Sequence, residues 1–68
     1  MINISKLRGR MAEKHRNGRD MAKVIGKTPK TFYAKMKAGV FDSDEIEAIV
    51  RDLDIKNPME IFFAEEVT

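Results

Sequence analysis

Apolar residues along this chain recur at helical spacing. Ile4, Leu7 and Met11 stand at i, i+3, i+7, the rhythm that lines one face of an α-helix, with Asn3 or Ser5 available as its cap. The pattern carries this first helix to about Asn17-Gly18, and Gly9 within it costs about 1 kcal/mol relative to Ala. A second, short helix is expected over about residues 19–25, with Met21, Ala22 and Ile25 on one face and Arg19 and Lys23 on the other. Gly26 stops it, as a residue that takes positive φ just past a helix end. Thr28 then occupies an N-cap position and Pro29 the first helical position, where its missing N–H costs nothing. The third helix runs over residues 29–38 and stops at Gly39. Asp42, with Glu45 three residues on, reads as a capping box opening a fourth helix, whose Ile46, Ile49, Val50 and Leu53 form an unbroken apolar stripe. Asn57-Pro58 repeats the cap signal with Glu60 following, which predicts a fifth helix from Pro58 to about Ala64. The run Ile61-Phe62-Phe63 can instead be a C-terminal strand, since periodicity does not separate the two over so short a span. The fold class is all-α: a compact five-helix domain over residues 1–68.

Composition narrows the function classes. At 68 residues and 43% apolar, the chain suits one small globular domain rather than a disordered segment. A chain of this length folds to a radius of gyration of roughly 11 Å, which leaves little room for an enclosed active site beside a core. Zero Cys excludes a disulfide framework, a thiolate nucleophile and a Cys-based zinc site. Residues 1–6 lack the apolar run of a signal peptide, and no stretch approaches the ~18 apolar residues of a membrane span. The expected setting is therefore soluble and cytoplasmic.

The net charge of +2 conceals an asymmetry. Residues 1–39 hold eleven basic and two acidic residues, a net +9; residues 40–68 hold two basic and nine acidic, a net −7. Such a split between halves points to a polyanionic partner for the basic half.

The second and third helices, joined at Gly26, lie in that half and form a helix-turn-helix candidate. Packing two short helices at a steep angle needs a small residue at the crossing, a turn residue tolerant of unusual φ, and apolar anchors on the second helix. Ala22, Gly26, Phe32 and Met36 supply these in order. With Phe32 and Met36 inward, at 100° per residue, Lys30, Ala34 and Lys37 centre the outward face, flanked by Thr31 and Tyr33. That face is basic, with one aromatic and no acid. A helix of this kind fits the major groove of double-stranded DNA, with flanking cations on phosphates.

Residues 21–39, with Ala22, Gly26, Thr28, Pro29, Phe32, Met36 and Gly39 at these spacings, resemble the helix-turn-helix of small phage Cro-like proteins in the wider repressor-type (XRE) family. Lys6-Leu7-Arg8-Gly9-Arg10-Met11, Asp44-Glu45-Ile46-Glu47 and Ile61-Phe62-Phe63 are similar to short Cro-like proteins of phages and prophages of Gram-positive bacteria. The resemblance implies a compact five-helix DNA-binding domain acting as a homodimer on a palindromic operator, as a repressor in the choice between lytic and lysogenic growth. Members of the family often carry Gln at the start of the second helix and at the entry to the third. Here those positions hold Gly18 and Pro29, neither of which makes a side-chain hydrogen bond. The positions that keep a contact role are Thr28, Lys30, Tyr33, Ala34 and Lys37, with Pro29 and Thr31 on the same face. Lys30 can donate to guanine O6/N7, Tyr33 and Thr28 can bond a base or a phosphate, and Ala34 can pack on a thymine methyl. Arg19 and Lys23 stand in as phosphate-binding cations.

Other residues carry less. His15, the single His, has no second His or Cys at ligand spacing and reads as a half-buried residue or one at the C-terminal end of the first helix beside its dipole, so no metal is expected. Asp44, Glu45, Glu47, Asp52 and Asp54 lie largely opposite the fourth helix's apolar stripe, as a solvated face does. No nucleophilic triad and no phosphate-cradling Gly loop is present, so neither an enzyme nor a cofactor is expected. Met11, Met21 and Met36 read as core. Met59, Ile61, Phe62 and Phe63 exceed what so small a domain readily buries and form a candidate dimer or partner surface. The alternative function is an antirepressor-type module that binds another regulator, such as a phage repressor, favoured by the missing Gln residues and the acidic half.

Overall fold

The computed structural model describes residues 2–62. Among them the chain forms five α-helices and no strand: α1 (Ile4–Glu13), α2 (Gly18–Ile25), α3 (Pro29–Ala38), α4 (Ser43–Asp52) and α5 (Pro58–Phe62). The all-α class is as expected, and the C-terminal segment is helix rather than strand as far as Phe62. Phe63 and Ala64, to which the fifth helix was expected to extend, lie outside the described residues.

The caps explain the boundaries. Asn3, not Ser5, caps α1, its Oδ1 accepting from the Lys6 N–H at 3.1 Å. The Thr31 N–H donates to Thr28 Oγ1 at 3.2 Å, with Pro29 at the first position of α3. The Asp42 N–H donates to Glu45 Oε1 at 2.8 Å, the second half of a capping box at the start of α4. The first helix departs from expectation: it ends at Glu13, four residues before Asn17. His15 adopts a left-handed conformation (φ 56°), and the N–H groups of His15 and Arg16 return to the carbonyls of Ala12 and Met11. That pairing is a Schellman stop built on a residue other than Gly. Asn17 is thereby released to open α2, exchanging hydrogen bonds with Asp20 in a capping box of its own. His15 is therefore an exposed turn residue, not a helical one. Gly26 (φ 71°) and Gly39 (φ 72°) close α2 and α3 by the same pairing, and Asp54 (φ 50°) closes α4.

Leu7 and Met11 of α1, Met21 and Ala22 of α2, Phe32 and Met36 of α3, and Ile49 and Leu53 of α4 converge in one buried cluster, completed by Ile2, Phe41 and Ile55. Phe32 and Phe41 pack with tilted rings, 5.8 Å between ring centres. The helix α2 packs against α3 and α4, and α5 against α1. The radius of gyration is 11.1 Å.

Two expectations are overturned here. Ile61 and Phe62 are buried, at 6% and 3% exposure, because α5 folds back on α1 with the Asn3 N–H donating to the Ile61 carbonyl at 2.6 Å. They belong to the core rather than to a dimer or partner surface. Of the described residues of that group only Met59 is exposed; Phe63 lies outside the described residues. Glu45 is also buried, at 5%, and so is not part of a solvated acidic face: the first turn of α4 points it at α3.

Candidate nucleic-acid interface

Three residues, Gly26, Lys27 and Thr28, join α2 to α3, and the left-handed Gly26 makes so short a reversal possible. Ala22 and Phe32 are fully buried between the two helices and Met36 nearly so, while Gly26 is exposed and acts through its backbone. With these anchors inward, Lys30, Tyr33, Ala34 and Lys37 are exposed on the outer face of α3, and Thr31 is half-buried at its edge. Pro29 and Thr28 are exposed at its N-terminal end, and Arg19 and Lys23 on α2. The Thr28 and Thr31 hydroxyls hydrogen-bond each other at 3.0 Å while Thr28 caps the helix, so part of the polar capacity assigned to them is spent within the protein.

Tyr33 is held in place by the residue whose identity looked like a loss. A Cβ built at Gly18 would overlap Cζ and Oη of the Tyr33 ring, so the phenol lies flush on the first residue of α2. Glycine at 18 removes a side-chain donor and in exchange seats an aromatic. The ring meets Phe32 edge-on at 5.8 Å, and Tyr33 remains half exposed. It also forms a shared wall between two concavities, one with Asn17, Arg19 and Pro29 and one with Ile4, Arg8, Met36 and Lys37.

Folding sorts the cations of the basic half. Lys6 pairs with Glu60 at 2.9 Å, Arg16 with Asp52 at 3.0 Å, and Lys35 with Glu45 at 3.1 Å, each reaching an acid of the other half. Arg10 donates to the carbonyls of Leu53 and Asp54 at 2.9 and 2.8 Å, clamping the end of α4, and to Glu13. The exposed cations Arg8, Arg19, Lys23, Lys27, Lys30 and Lys37 make no ion pair with any described residue. The acids thus neutralise the cations that join the halves together and leave those on α2, its turn and the outer face of α3.

The Lys35–Glu45 pair supports this surface from behind. Burial pushes the Glu45 carboxyl up, but the Asp42 N–H and the Lys35 ammonium outweigh it and hold the group below its ordinary value. Its Oε2 has no hydrogen-bond partner, so one short ionic contact ties α3 to α4.

The sequence reading missed Arg8, Lys27 and the role of Gly18. No local pattern distinguishes Arg8 from Lys6 or Arg10 on the same helix, because only tertiary contact decides which cation meets an acid. Among the described residues no helix is long and apolar enough to cross a membrane, and no group of three or more His, Asp or Glu side chains is placed to hold a metal ion. Comparison with protein-family models, with curated proteins and with solved structures finds no match.

Proposed function

We propose that this chain is a non-enzymatic DNA-binding transcriptional regulator of the Cro-like helix-turn-helix type, which places α3 in the major groove of double-stranded DNA. The observation that carries this reading is the face formed by Arg19, Lys23, Lys30 and Lys37 around a seated Tyr33, none of the four paired with a described carboxylate. Lys30, Tyr33 and Ala34 are the base-facing candidates, since an α3 of this orientation presents its N-terminal outer residues to base edges. Arg19 and Lys23 act on phosphates, which fix register without reading sequence. Repression from a homodimer on an inverted repeat, in a phage or prophage switch, rests on the resemblance of residues 21–39 to that family. The alternative, a module that binds another regulator through a C-terminal apolar patch, keeps only Met59 of its described apolar residues on the surface, and the DNA reading is preferred for that reason.

Selection from a random duplex pool tests the proposal. Enrichment of an inverted repeat with half-sites one helical turn apart is the expected outcome. Recovery of no preferred sequence from a pool that the protein does retain would reduce it to a non-specific binder, and no retention at ~50 mM salt would refute it.

A further inference from the structure

A groove of about 500 Å³ runs between α1 and α3, lined by Ile4 and Arg8 on one side and Tyr33, Met36 and Lys37 on the other. The floor is apolar, the two rims each carry one cation, and no acid lines it. Arg8 and Lys37 are both exposed, and neither pairs with a described carboxylate, although Lys6 and Arg10, which flank Arg8 on α1, are both engaged.

From this arrangement we infer that the α1–α3 groove takes one sugar-phosphate strand of the duplex, with Arg8 as a phosphate contact on the first helix. The inference rests on the DNA-binding reading above and extends its footprint beyond α2 and α3. A backbone strand presents apolar sugar edges between anionic phosphates, which matches apolar walls flanked by cations. Continuity favours this occupant over an acidic peptide. The Tyr33 ring walls both this groove and the concavity of Asn17, Arg19 and Pro29, so a strand running alongside α3 passes from one to the other without leaving the basic surface. Arg suits the role, because its planar fork matches phosphate geometry and it is always charged.

The test compares the whole chain with Arg8→Ala and Arg8→Lys on a selected and on a random duplex, titrated between ~50 and ~200 mM salt, with thermal melts to confirm folding. Losing one phosphate contact removes about 0.9 from the salt slope, which amounts to roughly fifteenfold weaker binding at ~50 mM and roughly fourfold at ~200 mM. Arg8→Ala is expected to show that loss equally on both duplexes, and Arg8→Lys to recover most of it. Unchanged affinity and slope in Arg8→Ala, with Lys30→Ala still weakening the selected duplex, would overturn the groove assignment and leave the DNA reading standing. Failure of the unmodified chain to bind either duplex would overturn both. Unchanged duplex binding, together with an acidic apolar peptide that binds the parent chain but not Arg8→Ala, would give the groove to a protein partner instead.

Discussion

Lys35 and Lys37 stand two residues apart on α3 and end in opposite electrical surroundings. Lys35 turns toward α4, three-quarters buried, with Glu45 at 3.1 Å and Asp42 at 3.9 Å. Lys37 turns outward beside Tyr33 and meets no described acid. The same contrast runs through the molecule. Where the basic and acidic halves touch, charge is consumed in holding helices together; on the α2–α3 face it is left over. A residue's charge therefore says little about its job until its position on the helix is known. Two residues along an α-helix rotate a side chain by 200°, enough to move a lysine from the interior contact to the open face.

The most damaging way to probe the closed region is Phe62→Ala. Deleting a side chain only 3% exposed should cost about 3–5 kcal/mol, enough to unfold much of so small a protein, read as a loss of helical circular dichroism and a lower denaturant midpoint. Unchanged stability with a lighter mass in sedimentation would instead restore Phe62 to an interface between copies.

A smaller effect is expected at the ionic contact. Glu45→Ala removes the carboxylate facing Lys35 and the acceptor of the Asp42 N–H, and should cost about 2 kcal/mol in denaturant unfolding. The pH dependence follows from the sign of the shift. The folded Glu45 carboxyl lies below its ordinary value, so its stabilising contribution is complete above about pH 4.3 and is lost as pH falls through the folded value. Melts of the parent chain should therefore weaken below about pH 4, and Glu45→Gln should flatten that loss. An acid limb unchanged in Glu45→Gln would show that other carboxylates govern it.

Lys35→Ala and Lys37→Ala separate the two regions most sharply. Lys35→Ala should lower stability, by roughly 1 kcal/mol or more, with the DNA salt slope retained. Lys37→Ala should leave the melt within about 0.5 kcal/mol of the parent and reduce the slope by about 0.9. Identical behaviour of the pair would dissolve the distinction between paired and open cations.

The subtlest variant is Gly18→Ala. Its methyl group displaces the Tyr33 ring, which can swing out because it is half exposed, so stability should move by less than about 1 kcal/mol. Discrimination between selected and random duplex should fall as far as in Tyr33→Ala, and the double variant should lose no more than either single change. Additive losses would show that Gly18 does not act through the ring.

Helix number and most boundaries were legible because their signals are local. Thr28-Pro29, Gly26, Gly39 and Asp42 with Glu45 set backbone conformation or caps within a few residues of themselves, and the structure uses each one. The end of α1 was not legible, since His15 supplies a left-handed stop that glycine ordinarily provides, and Asn17 serves the next helix rather than the last. The outward face of α3 followed from 100° geometry. Burial of Ile61, Phe62 and Glu45, and the seat that Gly18 makes for Tyr33, depend on segments distant in sequence coming together, which no window of local pattern contains.

If the unpaired cations of the α2–α3 face bind duplex phosphates, titration of the full chain into duplex DNA across ~50 to ~200 mM salt reads that binding out as a salt slope. Log K should fall linearly with log salt at about −0.9 per phosphate contact, with about four or more contacts. A flat salt response, or no binding at ~50 mM salt, would contradict it.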